Sequence, residues 1–305
     1  MKKSNKKGLA VLCVLCALSL AALVFSGERK TAGKKITGSS RGYIAELYVT
    51  GVITESNQTY NQEWLMETIS DLTDDSRNRG IMLYLDTPGG AVYEADEVYL
   101  ALLHYKEVTG RPVYAYMAHM AASGGYYIAC AADKIFANRN TITGSIGVLF
   151  GGSMDATGLL EKLGIKSETF HSGKNKNMLN YNEPLTEEQR AIMQAAADEA
   201  YQQFTGIVAE SRKLPLATVQ TLADGRIYTA QQALSNGLVD GVCSRSQALA
   251  ALRNDYGLKD SLPVKELRYQ PDNFLQGLLL GSARASLRSG LQSLSESLSL
   301  QALAK

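Results

Sequence analysis

Histidine, cysteine and tryptophan are scarce in this chain, whose 305 residues include three His, four Cys and one Trp. Neither the one CxxC spacing, formed by Cys13 and Cys16, nor any Cys/His cluster suggests a metal site. Cys13 and Cys16 lie in an apolar N-terminal run, which leaves Cys130 and Cys243 for the folded part. We expect these two to be buried free thiols, with a disulfide between them as the alternative.

The chain also has no excess of positive or negative charge. The formal net charge is +1, and charged residues make up only 20% of the chain. Long-range attraction to polyanions therefore has no support, and we predict no nucleic-acid partner. Hydrophobic residues account for 45%, which is typical of a globular protein and argues against disorder.

The N-terminus predicts a membrane signal. Residues 8–27 carry no charge and follow a lysine-rich start, with Lys2, Lys3, Lys6 and Lys7. As a helix, residues 9–26 would span roughly 27 Å, close to the ~30 Å hydrocarbon core of a bilayer. We predict an uncleaved anchor, since neither an A-x-A site nor a lipobox is present, and keep a cleaved secretory signal as the alternative. The short tail favours a cytoplasmic N-terminus, with the rest of the chain outside the cytoplasm.

Four segments follow from composition. Residues 1–27 form the cytoplasmic tail and anchor, and residues 28–41 form a polar linker. Residues 42–269 are predicted to form the folded domain. Residues 270–305 form a tail in which leucines recur at helical spacing, at Leu287, Leu291, Leu294 and Leu298. This pattern predicts an amphipathic helix that packs on the domain, on a partner subunit or on a membrane surface, the first being preferred.

Strand and helix patterns alternate along the predicted domain. Short apolar runs predict strands at residues 43–53, 81–85, 113–117 and 134–137. Helical spacing predicts helices at residues 62–72, 91–105, 126–132 and 186–212, and two short helices within residues 226–255. The helix at residues 186–212 opens with a Thr-Glu-Glu-Gln start that resembles a capping box. The alternation predicts an α/β fold whose parallel strands are largely buried.

Two glycine-containing turns are candidates for the chemistry. DTPGG at residues 86–90 follows a predicted strand, and its glycines could present backbone N–H groups to an oxyanion. The alternative is an ordinary turn. Ser123 stands between two alanines and two glycines at the start of a predicted helix, as an exposed nucleophile would. The alternative is that Ser123 only caps that helix.

A third candidate is TGSIG at residues 143–147, followed by a polar loop that contains Lys174 and Lys176. A lysine in a loop is ordinarily solvated and charged. It can act as a general base only when neutral, so its usual pKa of about 10.4 must fall through burial or a nearby cation.

Together these segments resemble the signal peptide peptidase A (SppA) family in its short, single-repeat bacterial form. The resemblance covers roughly residues 42–245 and rests on five stretches in order, DTPGG, AASGGYY, TGSIGV, SGKNK and DGRIYTAQQALSNGLVD. It implies a Clp protease/crotonase-type fold of repeated β-β-α units and a Ser-Lys dyad. By the same resemblance, Ser123 is the nucleophile and Lys176 is the general base, with Lys174 as its competitor. Ser145 orients the lysine, and the backbone N–H groups of Gly90 and Gly124 form the oxyanion hole.

The resemblance also implies a function. A membrane-anchored serine endopeptidase would degrade remnant signal peptides and similar apolar peptides through an acyl-enzyme, without a cofactor, as a ring-like homo-oligomer. Three alternatives remain open. They are a Ser-His-Asp hydrolase that uses one of the few histidines (His104, His119 or His171), an acyl-CoA enzyme of the crotonase type, and a non-catalytic membrane-tethered scaffold of the same fold.

Overall fold

A computed structural model of the chain describes residues 42–271. The predicted anchor and linker, and the leucines of the predicted C-terminal helix, lie outside these residues. Within the described part of the chain, no helix combines the length and the apolar character needed to cross a membrane.

The N-terminal half alternates strand and helix, as the sequence predicts. Its elements are β1 (Tyr43–Thr50), α1 (Gln62–Asp74), β2 (Asn78–Thr87), α2 (Val92–Thr109), β3 (Val113–Ala122), α3 (Gly124–Ala129) and β4 (Lys134–Ala137). Strands β1, β2 and β3 are parallel neighbours. Their apolar runs are buried on both faces of the sheet, which is why they read as continuous rather than alternating patterns.

The C-terminal half contributes shorter strands and one long helix. Its elements are β5 (Ile142–Gly144), α4 (Thr157–Lys162), α5 (Glu187–Arg212), α6 (Leu216–Leu222), β6 (Ile227–Thr229), α7 (Ala230–Ser235), β7 (Gly241–Val242), α8 (Arg245–Asp255) and β8 (Val264–Leu267). The predicted capping box of α5 is confirmed, since Thr186 and Gln189 bond each other's backbone N–H groups.

The sheet runs in the order β6-β5-β3-β2-β1-β8, with β4 between β3 and β7. Its strand pairs are parallel except for β5 with β6. Strand β3 forks: residues 114–117 pair with β4, and residues 120–122 pair with β5. The fork sets Ala122 beside Gly144, so the chain leaves β3 and β5 at neighbouring points of one sheet edge.

Several boundaries differ from the prediction, and two of them flank Ser123. Strand β3 continues five residues beyond Met117, and α3 already begins at Gly124. The exposed His119 interrupts the apolar run and hides the continuation of the strand from a pattern search. Both cysteines of the domain are free as predicted; Cys130 is buried and Cys243 half-buried.

One part of the chain stands apart from this core. Residues 149–203, which we call the arm, include α4, the lysine loop and most of α5, and no residue among them is buried. Helix α5 joins the core only towards its C-terminal end, where Phe204, Thr205 and Val208 are buried.

Candidate active site

Ser123 occupies the turn between β3 and α3 in a strained conformation. Its φ of 52° and ψ of −121° lie outside the regions that non-glycine residues usually occupy. The Ser123 N–H donates to the carbonyl of Gly144 at 2.9 Å, which ties the turn to β5. The Ser123 side chain makes no capping hydrogen bond, so the interpretation of this serine as a helix cap is wrong. The hydroxyl is left free for chemistry.

Gly89 is what allows the chain to turn so tightly at Ser123. A Cβ on Gly89 would lie 2.7 Å from the carbonyl oxygen of Ala122 and 2.7 Å from the nitrogen of Gly124. Its φ of 96° is also one that a side chain disfavours. The DTPGG turn therefore packs directly against the backbone on both sides of Ser123, which an ordinary strand-to-helix turn does not require.

The N–H groups of Gly90 and Gly124 are candidates for an oxyanion hole. Residues flanking Gly90 are held by Ile53, which donates to the Gly89 carbonyl at 2.9 Å and accepts from Ala91 at 2.9 Å. The N–H groups of Gly90 and Gly124 themselves make no hydrogen bond within residues 42–271. Gly124 is the first residue of α3, where backbone N–H groups have no helical partner. Within the described residues, two unpaired backbone donors therefore lie at the turn that carries Ser123.

Ser145 follows β5 as Ser123 follows β3. It also has a positive φ, of 51°, and its N–H donates to the carbonyl of Arg226 at 2.8 Å. Because Ala122 and Gly144 are paired, the two serines leave adjacent strands at the same edge of the sheet.

A groove of about 830 Å³ runs along this edge. Ser123, Ser145 and Gly90 line it, together with residues of α5 and of the turn before β6. A smaller pocket of about 20 Å³ opens beside it and shares Ser123 and Gly90 with it, while Gly124 lines the pocket only. The structure thus brings together four of the predicted site residues, Ser123, Ser145, Gly90 and Gly124.

The lysines are placed differently. Lys174 is exposed and forms an ion pair with Glu188, the second residue of α5, which also accepts from the amide of Asn175 at 3.1 Å. Lys176 is exposed in the same loop, and neither lysine lines the two cavities at Ser123. The assignment of Lys176 as the base stays a prediction.

All three histidines lie in the described residues, and none lines the groove or the pocket. His119 pairs with Asp86 at 2.8 Å, but its side chain is 88% exposed. His171 contacts the carbonyl of Gly173 at 3.1 Å, and His104 is exposed on α2. The geometry gives a Ser-His-Asp triad no support.

Sequence reasoning missed several residues of the site. Ile53, which holds the DTPGG turn, was predicted only as the end of the strand at residues 43–53, with no role at the site. The apolar residues of the small pocket were also missed. Ala200 and Phe204 lie four apart on α5 and Val92 and Ala95 three apart on α2, a spacing that places each pair on one helix face. That spacing could have identified them.

Family comparisons agree with this geometry. The model described as "Clp protease" matches residues 44–146, which supports the Clp-type part of the predicted fold. The model described as "Peptidase family S49" matches residues 106–259, which contain Ser123 and both lysines.

Similar proteins include a candidate signal peptide peptidase SppA of Enterococcus faecium, 32% identical, with 87% of this chain and 85% of the relative covered. The chloroplastic serine protease SPPA of Arabidopsis thaliana is 32% identical over 84% of this chain and 39% of the relative. Protease 4 of Salmonella typhi is 30% identical, covering 85% of this chain and 42% of the relative.

The family matches define the class of the protein as a serine peptidase, and the fold agrees with that class. The matches make the identification more specific, because one relative at over 30% identity is covered for most of its length. The chain belongs to peptidase family S49. The predicted resemblance to the SppA family is confirmed.

Proposed function

We propose that this serine peptidase degrades signal peptides and similar apolar peptides, with Ser123 as nucleophile and Lys176 as general base. The observation that carries the proposal is the pairing of a strained, uncapped Ser123 with the free N–H groups of Gly90 and Gly124. Two preorganised donors beside a nucleophile are suited to the anionic intermediate of acyl transfer. The names of the E. faecium and S. typhi relatives support the substrate class and the reaction.

The mechanism follows from these roles. A neutral Lys176 amine, oriented by Ser145, takes the proton of the Ser123 hydroxyl as its oxygen attacks a peptide carbonyl. The N–H groups of Gly90 and Gly124 stabilise the resulting oxyanion. The lysine then protonates the leaving amine, and the acyl-enzyme forms. Water, deprotonated by the same lysine, hydrolyses the acyl-enzyme and regenerates Ser123. No metal or organic cofactor takes part in these steps.

The exposure of the arm supports a homo-oligomer. Leu149 is 98% exposed and Phe170 is 92% exposed, and further apolar arm residues are exposed beside them, including Met154, Leu159 and Leu163. Apolar surface of this extent marks an interaction site. We propose that arms pack against neighbouring copies in a ring-like assembly. Such packing would take the lysine loop out of water, and burial among apolar groups favours the neutral form of a lysine amine.

The groove favours an extended peptide. It is open, about 830 Å³ in volume, and runs beside the backbone of Gly90 at the sheet edge. A peptide could add there as a strand, with the scissile carbonyl at Ser123. We further propose that residues 1–27 anchor the domain outside the cytoplasm at the cell membrane, where released signal peptides would be close at hand.

Labelling with a fluorophosphonate probe tests the nucleophile. We expect wild type to react and Ser123→Ala to show no labelling. Ser153→Ala is the matched control, since Ser153 is an exposed serine of the arm, and it should label as wild type does. Equal labelling of wild type and Ser123→Ala would refute the assignment.

Cleavage of a synthetic signal peptide by the same proteins then tests the substrate class. A chain that assembles but neither labels nor cleaves any peptide would favour the non-catalytic scaffold.

A further inference from the structure

Thr87, the last residue of β2, has a fully buried polar side chain that the proposed mechanism does not use. It directly precedes Pro88, which lines the groove at Ser123. A buried hydroxyl group is costly unless it is hydrogen-bonded, so its partner indicates what it does. The Thr87 hydroxyl oxygen accepts from the backbone N–H of Gly89 at 3.0 Å. The side chain at the end of the strand thus holds the backbone of the turn that follows it.

The methyl group of the same threonine lies against the first turn of α3. A Cβ placed on Gly125 would lie 2.6 Å from Thr87 Cγ2, so the methyl takes the space that a side chain at Gly125 would need. In the sheet, Thr87 pairs with Ala121 of β3. Thr87 therefore meets the chain on both sides of Ser123, at Ala121 before it and at Gly125 after it.

The two side-chain contacts of Thr87 lie next to the two candidate donors of the oxyanion hole. Gly89 directly precedes Gly90, and Gly125 directly follows Gly124. The donors are neighbours in space, since a Cβ placed on Gly124 would lie 3.4 Å from the nitrogen of Gly90. Both N–H groups must reach one oxygen at about 2.7–3.1 Å, so their relative position decides how well the hole works. One side chain contacts the backbone beside each of them.

The turn also has an anchor that does not involve Thr87. Ile53 donates to the carbonyl of Gly89 and accepts from the N–H of Ala91, both at 2.9 Å. These backbone bonds remain when the Thr87 side chain is changed. Loss of the Thr87 hydroxyl should therefore shift the segment at Gly89 and Gly90 without releasing the whole turn.

We propose that Thr87 is a positioning residue that acts through Gly89 and Gly125 to hold the N–H groups of Gly90 and Gly124 on one oxyanion. The inference rests on the proposed peptidase function and adds a residue to the same site. The hydroxyl fixes the segment that carries the Gly90 donor, and the methyl fixes its distance from α3. Because the oxyanion exists only after the nucleophile attacks, Thr87 should govern kcat and leave KM nearly unchanged.

Three substitutions in the full-length chain separate the hydroxyl from the methyl, with kcat and KM measured on an apolar fluorogenic peptide. Thr87→Val keeps the shape but leaves the Gly89 N–H unpaired, and it should lower kcat by roughly 10-fold to 100-fold, up to the loss of one oxyanion donor. Thr87→Ser keeps the hydrogen bond and should retain kcat within about 3-fold. Thr87→Ala loses both contacts and should fall below Thr87→Val. KM should change less than about 2-fold in all three.

Thr205→Val is the matched control. Thr205 is also fully buried, and its hydroxyl donates to the carbonyl of Tyr201 at 2.9 Å. It lines neither cavity at Ser123. This variant should leave kcat and KM unchanged, which would show that replacing a buried threonine with valine is not in itself the cause of a loss.

A pair of inhibitors gives a readout that does not depend on how much of each variant is folded. A peptide aldehyde bonds to the Ser123 oxygen, and its carbonyl oxygen becomes the oxyanion as the serine proton passes to the base. The matching peptide alcohol binds without forming this bond. Thr87→Val should weaken inhibition by the aldehyde by about the factor lost in kcat and leave inhibition by the alcohol unchanged. If Thr87→Val does not fold, Thr87→Ala carries the same comparison.

The outcomes separate two failures. A wild-type kcat and a wild-type ratio of the two inhibition constants in Thr87→Val would overturn the positioning role and leave the peptidase intact. A loss that appears in KM alone, or that Thr205→Val shares, would overturn it as well. Absence of both labelling and cleavage in wild type would instead mean that the proposed function itself is wrong.

Discussion

Residues 42–146 and the arm carry the two halves of the proposed dyad, and they are built in opposite ways. Ser123 sits in a turn that is fixed by hydrogen bonds to β5 and by glycines with no room for a Cβ. Lys176 lies in a segment in which no residue is buried, on a loop stabilised by an exposed ion pair at its neighbour Lys174. The proposed nucleophile is preorganised within one chain, whereas the proposed base has no such support.

This difference indicates how activity could be controlled. A strained serine beside unpaired N–H donors costs conformational free energy, but it is positioned for reaction before a substrate binds. Lys176, in contrast, is exposed and lines neither cavity at Ser123. Covering the arm, through assembly or substrate, would therefore be the step that completes the site.

The largest expected effect concerns the base. Lys176→Ala should reduce peptidase activity by roughly 10³-fold or more, as loss of a member of a catalytic unit does. Lys174→Ala is the matched control from the same loop and should retain most activity, because its amine is engaged by Glu188. Both variants are compared with wild type by initial cleavage rates of an apolar peptide. The opposite ranking would assign the base to Lys174.

Mixing two inactive variants tests whether the two residues of the proposed dyad come from different copies of the chain. If the arm of one copy covers the Ser123 site of its neighbour, then co-assembled Ser123→Ala and Lys176→Ala chains should recover part of the activity that each lacks alone. Recovery would show that the dyad forms between copies. Failure of a verified mixed oligomer to recover any activity would place both residues of each working site in one chain.

The next effect contrasts two glycines. Gly89→Ala should lower the free energy of unfolding by about 3 kcal/mol, because the new Cβ meets backbone atoms at 2.7 Å and the φ disfavours a side chain. Fluorophosphonate labelling should fall with it, since the clash displaces the backbone at Ser123. Gly158→Ala is the arm control: no heavy atom lies within 4 Å of its Cβ position, and alanine suits a helix better than glycine.

Chemical denaturation gives the unfolding free energies, and labelling is measured on the folded fraction. A Gly89→Ala protein as stable and as reactive as wild type would show that the DTPGG turn can move away from Ser123. The conclusion that the turn at Ser123 is rigidly held would then be wrong.

The sequence predicts residues 42–146 better than it predicts the arm. Strands β1 to β4 and helices α1 and α2 were predicted because buried apolar runs and helical spacing are local signals. Ser123, Gly90, Gly124 and Ser145 were proposed from motifs, and the fork of β3 explains why they meet at one sheet edge. That fork depends on which strands pair, which no local pattern contains.

The arm was the harder part. Its helix α5 was predicted from the capping box and spacing, but periodicity alone did not reveal that only its C-terminal end is buried. The position of Lys176 relative to Ser123 could not be predicted either, since loop conformation depends on what packs against it. The small pocket beside Ser123 is lined from three helices, which had to be placed together before it could be seen.

A smaller effect is expected from the exposed apolar side chains of the arm. The double variant Leu149→Ser/Phe170→Ser should weaken self-association by roughly 10-fold or more, because two almost fully exposed apolar side chains leave the proposed interface. The chain itself should unfold at an unchanged temperature, since neither residue is buried. Analytical ultracentrifugation and thermal melts give the two readouts. Unchanged association would show that the arm contacts something other than another copy.

The smallest expected effect is on the free energy of unfolding at low pH, where an ion pair in residues 42–146 is compared with one in the arm. In residues 42–146, the Asp75 carboxylate accepts two hydrogen bonds from the Arg77 guanidinium and one from the Arg77 backbone N–H, all at 2.9 Å. It accepts another from Tyr43 at 3.0 Å, and its side chain is only 13% exposed. The Arg77 guanidinium holds the pKa of Asp75 well below its ordinary value. In the arm, Lys174 lowers the pKa of Glu188, but both side chains are largely exposed, so solvent screens their pair.

A carboxyl group whose pKa is lowered by folding stabilises the protein above its ordinary pKa of about 4, and that contribution is lost as the pH falls towards the folded value. Asp75→Asn should therefore cost about 1–2 kcal/mol at pH 7, with the difference from wild type shrinking as the pH falls below about 4. Glu188→Gln should change the free energy of unfolding little at either pH. Urea unfolding at pH 7 and pH 3 measures both. The Glu188 variant could instead prove the more destabilised of the two at pH 7. The arm would then be more firmly attached to the core than its exposed residues indicate. In that case the contrast between a preorganised nucleophile and an unsupported base would have to be abandoned.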